Sequence, residues 1–101
     1  MTTVDSEELA ANIGTQLVQQ KLAACVQEIR IMSRYRWEGE VKCDPEILLL
    51  VKTSTAAADD AMRLIRDNHP YELPEIIATP ITAGLPAYLD WLAGEADGAA
   101  G

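Results

Sequence analysis

The sequence predicts one α+β domain with three helices and an antiparallel sheet, in the order β-α-β-β-α-β-α. Two observations predict this class. Apolar residues recur every three or four positions in two long segments, and between those segments they alternate or form aliphatic runs. At 101 residues, 49% of them hydrophobic and 24% charged, the chain has the size and composition of a single globular domain.

The first periodic segment predicts an amphipathic helix that follows a strand end of only four residues. Leu9, Ile13 and Leu17 recur at four-residue intervals, which places them on one helical face, and the pattern ends about four residues later. Asp5 with Glu8 three residues on has the pattern of an N-terminal capping box, so we expect the helix to begin at Asp5.

The segment from Ala24 to Lys42 changes to a period of two, which is typical of a strand and its turn. One face carries Ile29, Ile31, Ser33, Tyr35 and Trp37, and the other carries Glu28, Arg30, Met32, Arg34, Arg36 and Glu38. We expect the first face to be buried and the charged face to meet solvent.

Two turns and an aliphatic run follow this strand. Glu38-Gly39 predicts a turn, Glu40–Cys43 a short returning strand, and Asp44-Pro45 a second turn. The run from Glu46 to Thr53 is almost continuously aliphatic, as expected of a central strand covered on both faces.

The remainder of the chain predicts a helix, a short strand and a final helix. The second helix should run from Ala56 to Asn68, with Ala58, Ala61, Met62 and Ile65 as its buried stripe. A strand is expected at Glu75–Ile81, where Pro80 places it at an edge or a bulge. The last helix is predicted at Pro86–Ala93.

This order is the ferredoxin-like split βαβ plan with an added C-terminal helix and a shortened first strand, formed by residues 1–93. We expect the small, acidic segment 94–101 to be a disordered tail. Residues 26–37 alternate over a length of roughly 40 Å. A domain of this size is only about 33 Å across, so the strand must bend, break or project. We favour projecting hairpins that assemble a homo-oligomer.

Charge and cysteine content exclude several classes of protein. The net charge is −8 without a basic cluster, which argues against nucleic acid, and no run approaches the roughly 20 apolar residues of a membrane span. Asp5, Glu7 and Glu8 stand where a signal peptide needs an apolar run. Cys25 and Cys43 form neither a disulfide framework nor a zinc-finger spacing, so we expect a cytoplasmic protein with reduced thiols.

The segment His69–Glu75 is the strongest candidate for chemistry. It holds the only histidine, two of the five prolines, Tyr71 and two carboxylates. Each proline pushes the preceding residue, His69 or Leu73, into an extended conformation. A stiff loop that carries an imidazole and a phenol suits a functional site. The alternative is that the loop only turns the chain from a helix into a strand.

Five side chains are candidate ligands of copper or zinc: Cys25, Cys43, His69, Glu72 and Glu75. No pair has a ligand spacing, and the sequence does not show that they converge. Cys25 lies in an apolar run and fits a small core residue, whereas Cys43 lies in a polar turn and should be exposed. A nucleophile elbow and a glycine-rich phosphate loop are both absent, so no enzyme class is favoured.

Five sequence blocks together resemble the CutA divalent-cation tolerance proteins, in the family's order and spacing over roughly residues 2–92. The blocks are Lys21–Val26, Tyr35–Gly39, Glu46–Thr53, His69–Ala78 and Tyr88–Trp91. The resemblance implies a ferredoxin-like subunit in a tight homotrimer, with long hairpins pairing between subunits. It also implies a role in tolerance of copper or another divalent cation, and a likeness to the PII signalling proteins in trimer architecture.

The resemblance also implies the functional residues. The metal ligands would be Cys25, His69 and Glu72, and the residues near an inter-subunit cleft would be Tyr35, Trp37, Tyr71 and Trp91. No turnover is expected. The alternative function is a PII-like binding module that takes a small ligand or a partner protein in this cleft. An acylphosphatase-like hydrolase shares the fold, but its glycine-rich phosphate loop is missing here.

Two features depart from the family pattern. Family members carry an apolar strand before the Thr-Thr-Val block, and here only Met1 precedes it. Loss of this strand would expose backbone groups beside the aliphatic run at 47–51. Either the start of the sequence is truncated or mis-assigned, or stability depends more on the trimer. The family's proline after the valine is replaced by Asp5, which reshapes the entry to the first helix.

Overall fold

The computed structural model describes residues 1–98, which form a three-stranded antiparallel sheet with three helices. The elements are β1 (Thr2–Val4), α1 (Glu7–Gln19), β2 (Cys25–Trp37), β3 (Glu40–Lys52), α2 (Thr55–Asn68) and α3 (Pro86–Glu95). The strand order is β1-β3-β2. The predicted α+β class is confirmed. Among the described residues, no helix is long and apolar enough to cross a membrane.

Helix α1 begins one residue later than predicted. Ser6 is its N-cap, because this residue is extended and its hydroxyl accepts a hydrogen bond from the Leu9 amide, so the Asp5–Glu8 capping box does not form. The helix buries Ile13, Gly14 and Leu17 against the sheet. A Cβ on Gly14 would lie 3.3 Å from a methyl carbon of Val26, so the close approach of α1 to β2 favours glycine at this position.

Strands β2 and β3 pair without interruption from Cys25↔Lys52 to Trp37↔Glu40. The Glu38-Gly39 turn is confirmed, and both residues have positive φ. The prediction of a second turn at Asp44-Pro45 was wrong, because both residues belong to β3 and pair with β2. Proline is tolerated there because β1 pairs with β3 only at residues 47–49, so the missing amide faces an open edge. The hairpin stretches the domain to 45 × 29 × 20 Å.

The helices cover the opposite face of β2 from the one predicted. Val26 contacts α1, so the helices lie on its side of the sheet. Alternate residues of a strand share a face, so Arg30 lies on the same side, and its guanidinium pairs with Glu7. The apolar face points away from the helices. Two of its side chains, Ile29 and Trp37, are 44% and 38% exposed. The prediction from charge was wrong because α1 covers part of the charged face and supplies Glu7 as the partner of Arg30.

The aliphatic run in β3 is buried on one face only. Ile47 and Leu49 lie in the core, while Leu48 and Leu50 are half-buried on the side away from the helices. The prediction of a strand covered on both faces was therefore wrong for a single chain, because both helices that contact the sheet lie on one side.

Ser54 is the N-cap of helix α2 and also bonds to the residue that follows α3. Its hydroxyl accepts from the Ala57 amide at 3.3 Å and donates to the Ala96 carbonyl. The buried stripe is Ala57, Ala61 and Ile65, while the predicted members Ala58 and Met62 are half-buried.

Replacing Ser54 by alanine should lower the free energy of unfolding by about 1–2 kcal/mol, since both the cap and the bond to Ala96 are lost. Urea denaturation would measure this loss. Thr55→Ala changes an exposed residue of the same helix turn and should stay within about 0.5 kcal/mol of the wild type. Equal losses in the two variants would contradict the dual role of Ser54.

The predicted strand at Glu75–Ile81 is reduced to a single bridge between Thr2 and Ile76. Met1 and Ile77 add two backbone hydrogen bonds, and the pairing ends there. Pro80 lacks an amide to donate, so it interrupts backbone pairing near the end of the predicted strand.

Helix α3 continues two residues beyond its predicted end. Ala96 is fully buried, and the Gly98 amide donates to the Lys21 carbonyl. The domain boundary predicted at residue 93 and the tail predicted from residue 94 are corrected, because contacts to α2 and to the end of α1 hold residues 94–98. The rest of the predicted tail, residues 99–101, lies outside the described residues.

Candidate functional site

The His69 imidazole is held by two hydrogen bonds at the end of α2. As predicted, Pro70 leaves His69 extended. Its Nε2 lies 2.8 Å from the Thr3 carbonyl oxygen, and its Nδ1 accepts from the Tyr71 amide at 3.3 Å. Because a carbonyl can only accept, Nε2 carries the proton and Nδ1 is the acceptor. Both ring nitrogens are therefore engaged: Nε2 joins the loop to β1, and Nδ1 makes a hydrogen bond within the loop.

Tyr71 fastens the same loop to β3. Its hydroxyl donates to the Glu46 carboxylate at 2.9 Å, and its ring lies 4.6 Å from the His69 ring. Burial, followed by the hydrogen bond and the charge of Glu46, raises the pKa of Tyr71 well above its ordinary value. The phenol consequently stays neutral and acts as a hydrogen-bond donor.

A cleft of about 730 Å³ lies where this loop meets the β2–β3 hairpin. We call it the aromatic cleft. Its walls include Tyr35, Trp37, Tyr71, Glu46, Glu72 and Glu75. The cleft opens on the sheet face that the helices leave uncovered. Within the hairpin, the Tyr35 hydroxyl donates to Asp44 at 2.5 Å, and this bond is the first cause of a raised pKa at Tyr35.

Three of the four predicted cleft aromatics meet in the aromatic cleft, and Trp91 does not. Trp91 lies on α3, where its ring pairs with that of Tyr88 at 5.7 Å and remains 47% exposed. The next residue, Leu92, is the one that α3 buries, so Trp91 is turned away from the core. Within the single chain Trp91 therefore lies outside the aromatic cleft, and its position near an inter-subunit cleft stays a prediction.

The three predicted metal ligands do not come together within one chain. His69 contacts Thr3, which is paired with Leu48, and Leu48 is opposite Ile29. Cys25 is four residues further along β2, which is about 13 Å along the strand. Glu72 is exposed in the loop. Among residues 1–98, no group of three histidine, cysteine, aspartate or glutamate side chains is arranged to hold a metal ion.

Two partners of the site were missed at the sequence level, Glu46 and the Thr3 carbonyl. Glu46 lies 25 residues from Tyr71, and Thr3 lies 66 residues from His69. No local pattern links such distant positions. The only signal at Glu46 was a carboxylate at the start of an aliphatic strand.

Comparison with known proteins identifies the family. A family model described as the CutA1 divalent ion tolerance protein matches residues 1–95. The chain belongs to this family. The divalent-cation tolerance protein CutA of Thermus thermophilus is 50% identical over 93 residues, which are 91% of this chain and 90% of that protein.

Solved CutA structures share the fold. The CutA crystal structure from Xylella fastidiosa matches with a TM-score of 0.91 at 40% identity, covering 95% of this chain and 93% of that one. The PII-like protein CutA from Nostoc matches with a TM-score of 0.87 at 34% identity, covering 94% and 92% of the two chains. The chain spans about half the length of several eukaryotic relatives, including 50% of the chloroplastic CutA of Arabidopsis thaliana.

Because the pKa of Tyr71 is raised, we expect the stability of the protein to decrease at alkaline pH. The neutral phenol contributes fully below the unfolded-state pKa of about 10, and its contribution is lost as the pH rises further, because the unfolded chain ionises first. We expect the urea midpoint to fall as the pH rises from about 9 to about 11. In Tyr71→Phe the midpoint should fall less steeply over the same range. Equal slopes in the two proteins would contradict this role of Tyr71.

Proposed function

We propose that this CutA family member supports tolerance of divalent cations as a cytoplasmic homotrimer that binds the metal ion and catalyses no reaction. The observation that carries the proposal is the family match over residues 1–95. A bacterial relative at 50% identity bears the name divalent-cation tolerance protein. Two free cysteines, Cys25 and Cys43, suit a reducing compartment.

Self-association is supported by the uncovered face of the sheet. Ile29, Tyr35 and Trp37 lie on this face and are between 38% and 44% exposed. An apolar sheet face of this kind is normally buried against another layer, and within residues 1–98 no helix lies on that side. A second copy that supplies the same face would bury it. Closure with three copies follows from the family resemblance.

The proposed ion is copper or another divalent cation, and the proposed ligands remain Cys25, His69 and Glu72. Because one chain does not gather them, the site requires side chains from neighbouring subunits or release of His69 from the Thr3 carbonyl. Thiolate and imidazole favour copper or zinc over magnesium or calcium. The aromatic cleft adds Glu46 and Glu75 as carboxylates beside Glu72.

Native mass spectrometry of the reduced protein, titrated with copper and with zinc, tests the metal proposal. We expect uptake of a reproducible number of ions per trimer and a loss of at least about tenfold in affinity in Cys25→Ser and in Glu72→Gln. Cys43→Ser is the matched control and should bind as the wild type does. His69→Ala is less suitable, because it also removes the bond to Thr3. Unchanged uptake in both test variants would refute the ligand assignment.

The second candidate function is a PII-like binding module, which the aromatic cleft favours. Its three aromatic rings and its carboxylates suit a small organic ligand or a peptide of a partner protein. A thermal-shift screen should then yield stabilising ligands whose effect persists in a chelator and is lost in Trp37→Ala. Stabilisation by metal ions alone would favour the first function.

A further inference from the structure

The rings of the aromatic cleft have little hydrogen-bond donor capacity left for a ligand. Tyr35 and Trp37 are two residues apart on β2, so their side chains stand on the same face, roughly 7 Å apart along the strand. Tyr71 joins them in the lining of the cleft. The Tyr35 hydroxyl donates to Asp44 at 2.5 Å. The Tyr71 hydroxyl donates to Glu46 at 2.9 Å, so both phenolic protons are already used.

The acidic side chains of the cleft are still able to face a ligand. Glu46 accepts from Tyr71 through one oxygen, and a carboxylate has lone pairs for further partners. Glu72 lies in the same lining and is exposed. Glu75 also lines the cleft, but its charge interacts with that of the Met1 amino group. We therefore assign the electrostatic part of recognition to Glu46 and Glu72.

Two basic residues near the cleft do not cancel this negative charge. Arg34 is among the lining residues, but strand alternation places its side chain on the opposite face of β2 from Tyr35. Lys42 lies directly opposite Tyr35 across the hairpin, and its ammonium pairs with Glu40 at 3.1 Å. Neither residue places an unpaired positive charge among the three rings.

Glu46 lies near two of the three rings. It bonds to the hydroxyl of Tyr71. The hydrogen bond to Asp44 is the first cause of the raised pKa of Tyr35, and the charge of Glu46 adds to it. A phenol that donates to a carboxylate gains electron density in its ring, which strengthens the attraction of that ring for a cation. A positive charge among these rings would therefore be stabilised by the ring faces and by Glu46 together.

These properties point to one class of ligand. Aromatic faces attract a cation that carries methyl or methylene groups, and tryptophan does so most strongly. The cleft of about 730 Å³ falls within the roughly 300–1,000 Å³ that small-molecule sites occupy. A bare metal ion would instead need several converging ligands, and within residues 1–98 no group of three such side chains is arranged to hold one.

We propose that the aromatic cleft binds a small organic cation of the alkylated ammonium class, with its methyl groups against Tyr35, Trp37 and Tyr71 and its charge beside Glu46. This proposal names the ligand class for the second candidate function and rests on that function. The discriminating property is the charge of the ligand, because a neutral molecule of the same shape would gain the apolar contacts and lose the attraction to the rings and the carboxylate.

Choline is the probe, and its neutral isostere, in which carbon replaces the nitrogen, is the matched control. Both are titrated into the intact, nitrogen-labelled protein while the indole N–H resonance of Trp37 is followed by NMR. Choline should shift this resonance in a saturable manner, and the isostere should bind about tenfold more weakly. Equal affinity of the two molecules would overturn the proposal. Absence of choline binding would also overturn it, including the case in which self-association closes the cleft.

Glu46→Gln tests the electrostatic contribution within the protein. The amide oxygen can still accept from the Tyr71 hydroxyl, but the negative charge is lost. We expect choline to bind about tenfold more weakly and the isostere to bind as before. Asp59→Asn, on the exposed side of α2, makes the same change in net charge and should bind choline as the wild type does. Equal losses in the two variants would show a general effect of surface charge and contradict the assignment to the cleft.

Trp37→Leu tests the aromatic contribution, with Tyr88→Leu as its control. Both aromatic residues are 38% exposed, but Tyr88 lies on α3 and outside the lining of the cleft. Calorimetry should give a loss of at least about tenfold in choline affinity for Trp37→Leu alone, with sedimentation confirming that both variants keep the wild-type mass. If neutral or anionic compounds stabilise the protein in a thermal-shift screen and choline does not bind, the ligand class is wrong and the binding module stands. A screen without any ligand would remove both.

Discussion

Replacing Leu49 by alanine is expected to lower the free energy of unfolding by about 2–5 kcal/mol. Leu49 is fully buried in the core. It pairs with Thr2 on one side and with Glu28 on the other, so the surrounding strands cannot easily collapse into the cavity. Urea denaturation at a fixed protein concentration would measure the loss, because self-association makes apparent stability depend on concentration.

A matched leucine provides the control for this experiment. Leu85 is 71% exposed and precedes α3 without a side-chain cap, so Leu85→Ala should change the free energy of unfolding by no more than about 0.5 kcal/mol. Similar losses at Leu49 and Leu85 would show that burial in the single chain does not determine stability.

Replacing Ile29 by aspartate should dissociate the proposed trimer. Ile29 lies on the uncovered apolar face of the sheet, and a carboxylate at its position would have to be buried without a partner in the assembly. Sedimentation should give a mass of about 33 kDa, three times the 11.0 kDa chain, for the wild type and the monomer mass for the variant. The melting temperature of the variant should also lose its dependence on concentration.

Val18→Asp separates this effect from a general effect of surface charge. Val18 has the same exposed fraction as Ile29, 44%, but lies on α1, away from the sheet face. This variant should keep the wild-type mass. A monomeric wild type, or an Ile29→Asp protein that remains a trimer, would refute the assembly that we propose.

Helices were the part of the fold that the sequence predicted most closely. Amphipathic spacing located α1, α2 and α3, with shifts of one or two residues at most of their ends. The start of α1 was misplaced by one residue, because Asp5 and Ser6 are both good caps and only the backbone conformation selects Ser6. The sequence signals for a helix are local, so tertiary contacts changed only the ends of the predicted helices.

Strand predictions failed where pairing depended on distant neighbours. Asp44-Pro45 has the composition of a turn, yet it pairs with β2 at an edge where no third strand approaches. The strand predicted at Glu75–Ile81 forms only one bridge, to Thr2, together with backbone hydrogen bonds between Met1 and Ile77. The face of β2 that contacts the helices also could not be derived from alternation, which is the same for either face.

The sequence predicted the loop of the candidate site, but it did not predict the hydrogen bonds that join this loop to the sheet. The stiffness of His69–Glu75 and the extended conformation of His69 follow from two prolines. The bonds from His69 to Thr3 and from Tyr71 to Glu46 join residues far apart in the chain. The sequence therefore indicated which side chains are available there, and only the fold showed that both ring nitrogens of His69 are already occupied.

The sequence by itself determined the fold class, the helices, the long strand β2 with its Glu38-Gly39 turn, and the family, because these rest on local periodicity, turn chemistry and ordered sequence blocks. The tertiary structure alone decided which sheet face is covered, where Trp91 and Cys25 lie relative to the loop, and how far the strand at residue 76 extends. Each of these depends on which strands and helices become neighbours. That choice is made by packing and backbone pairing between distant segments, which no local pattern encodes.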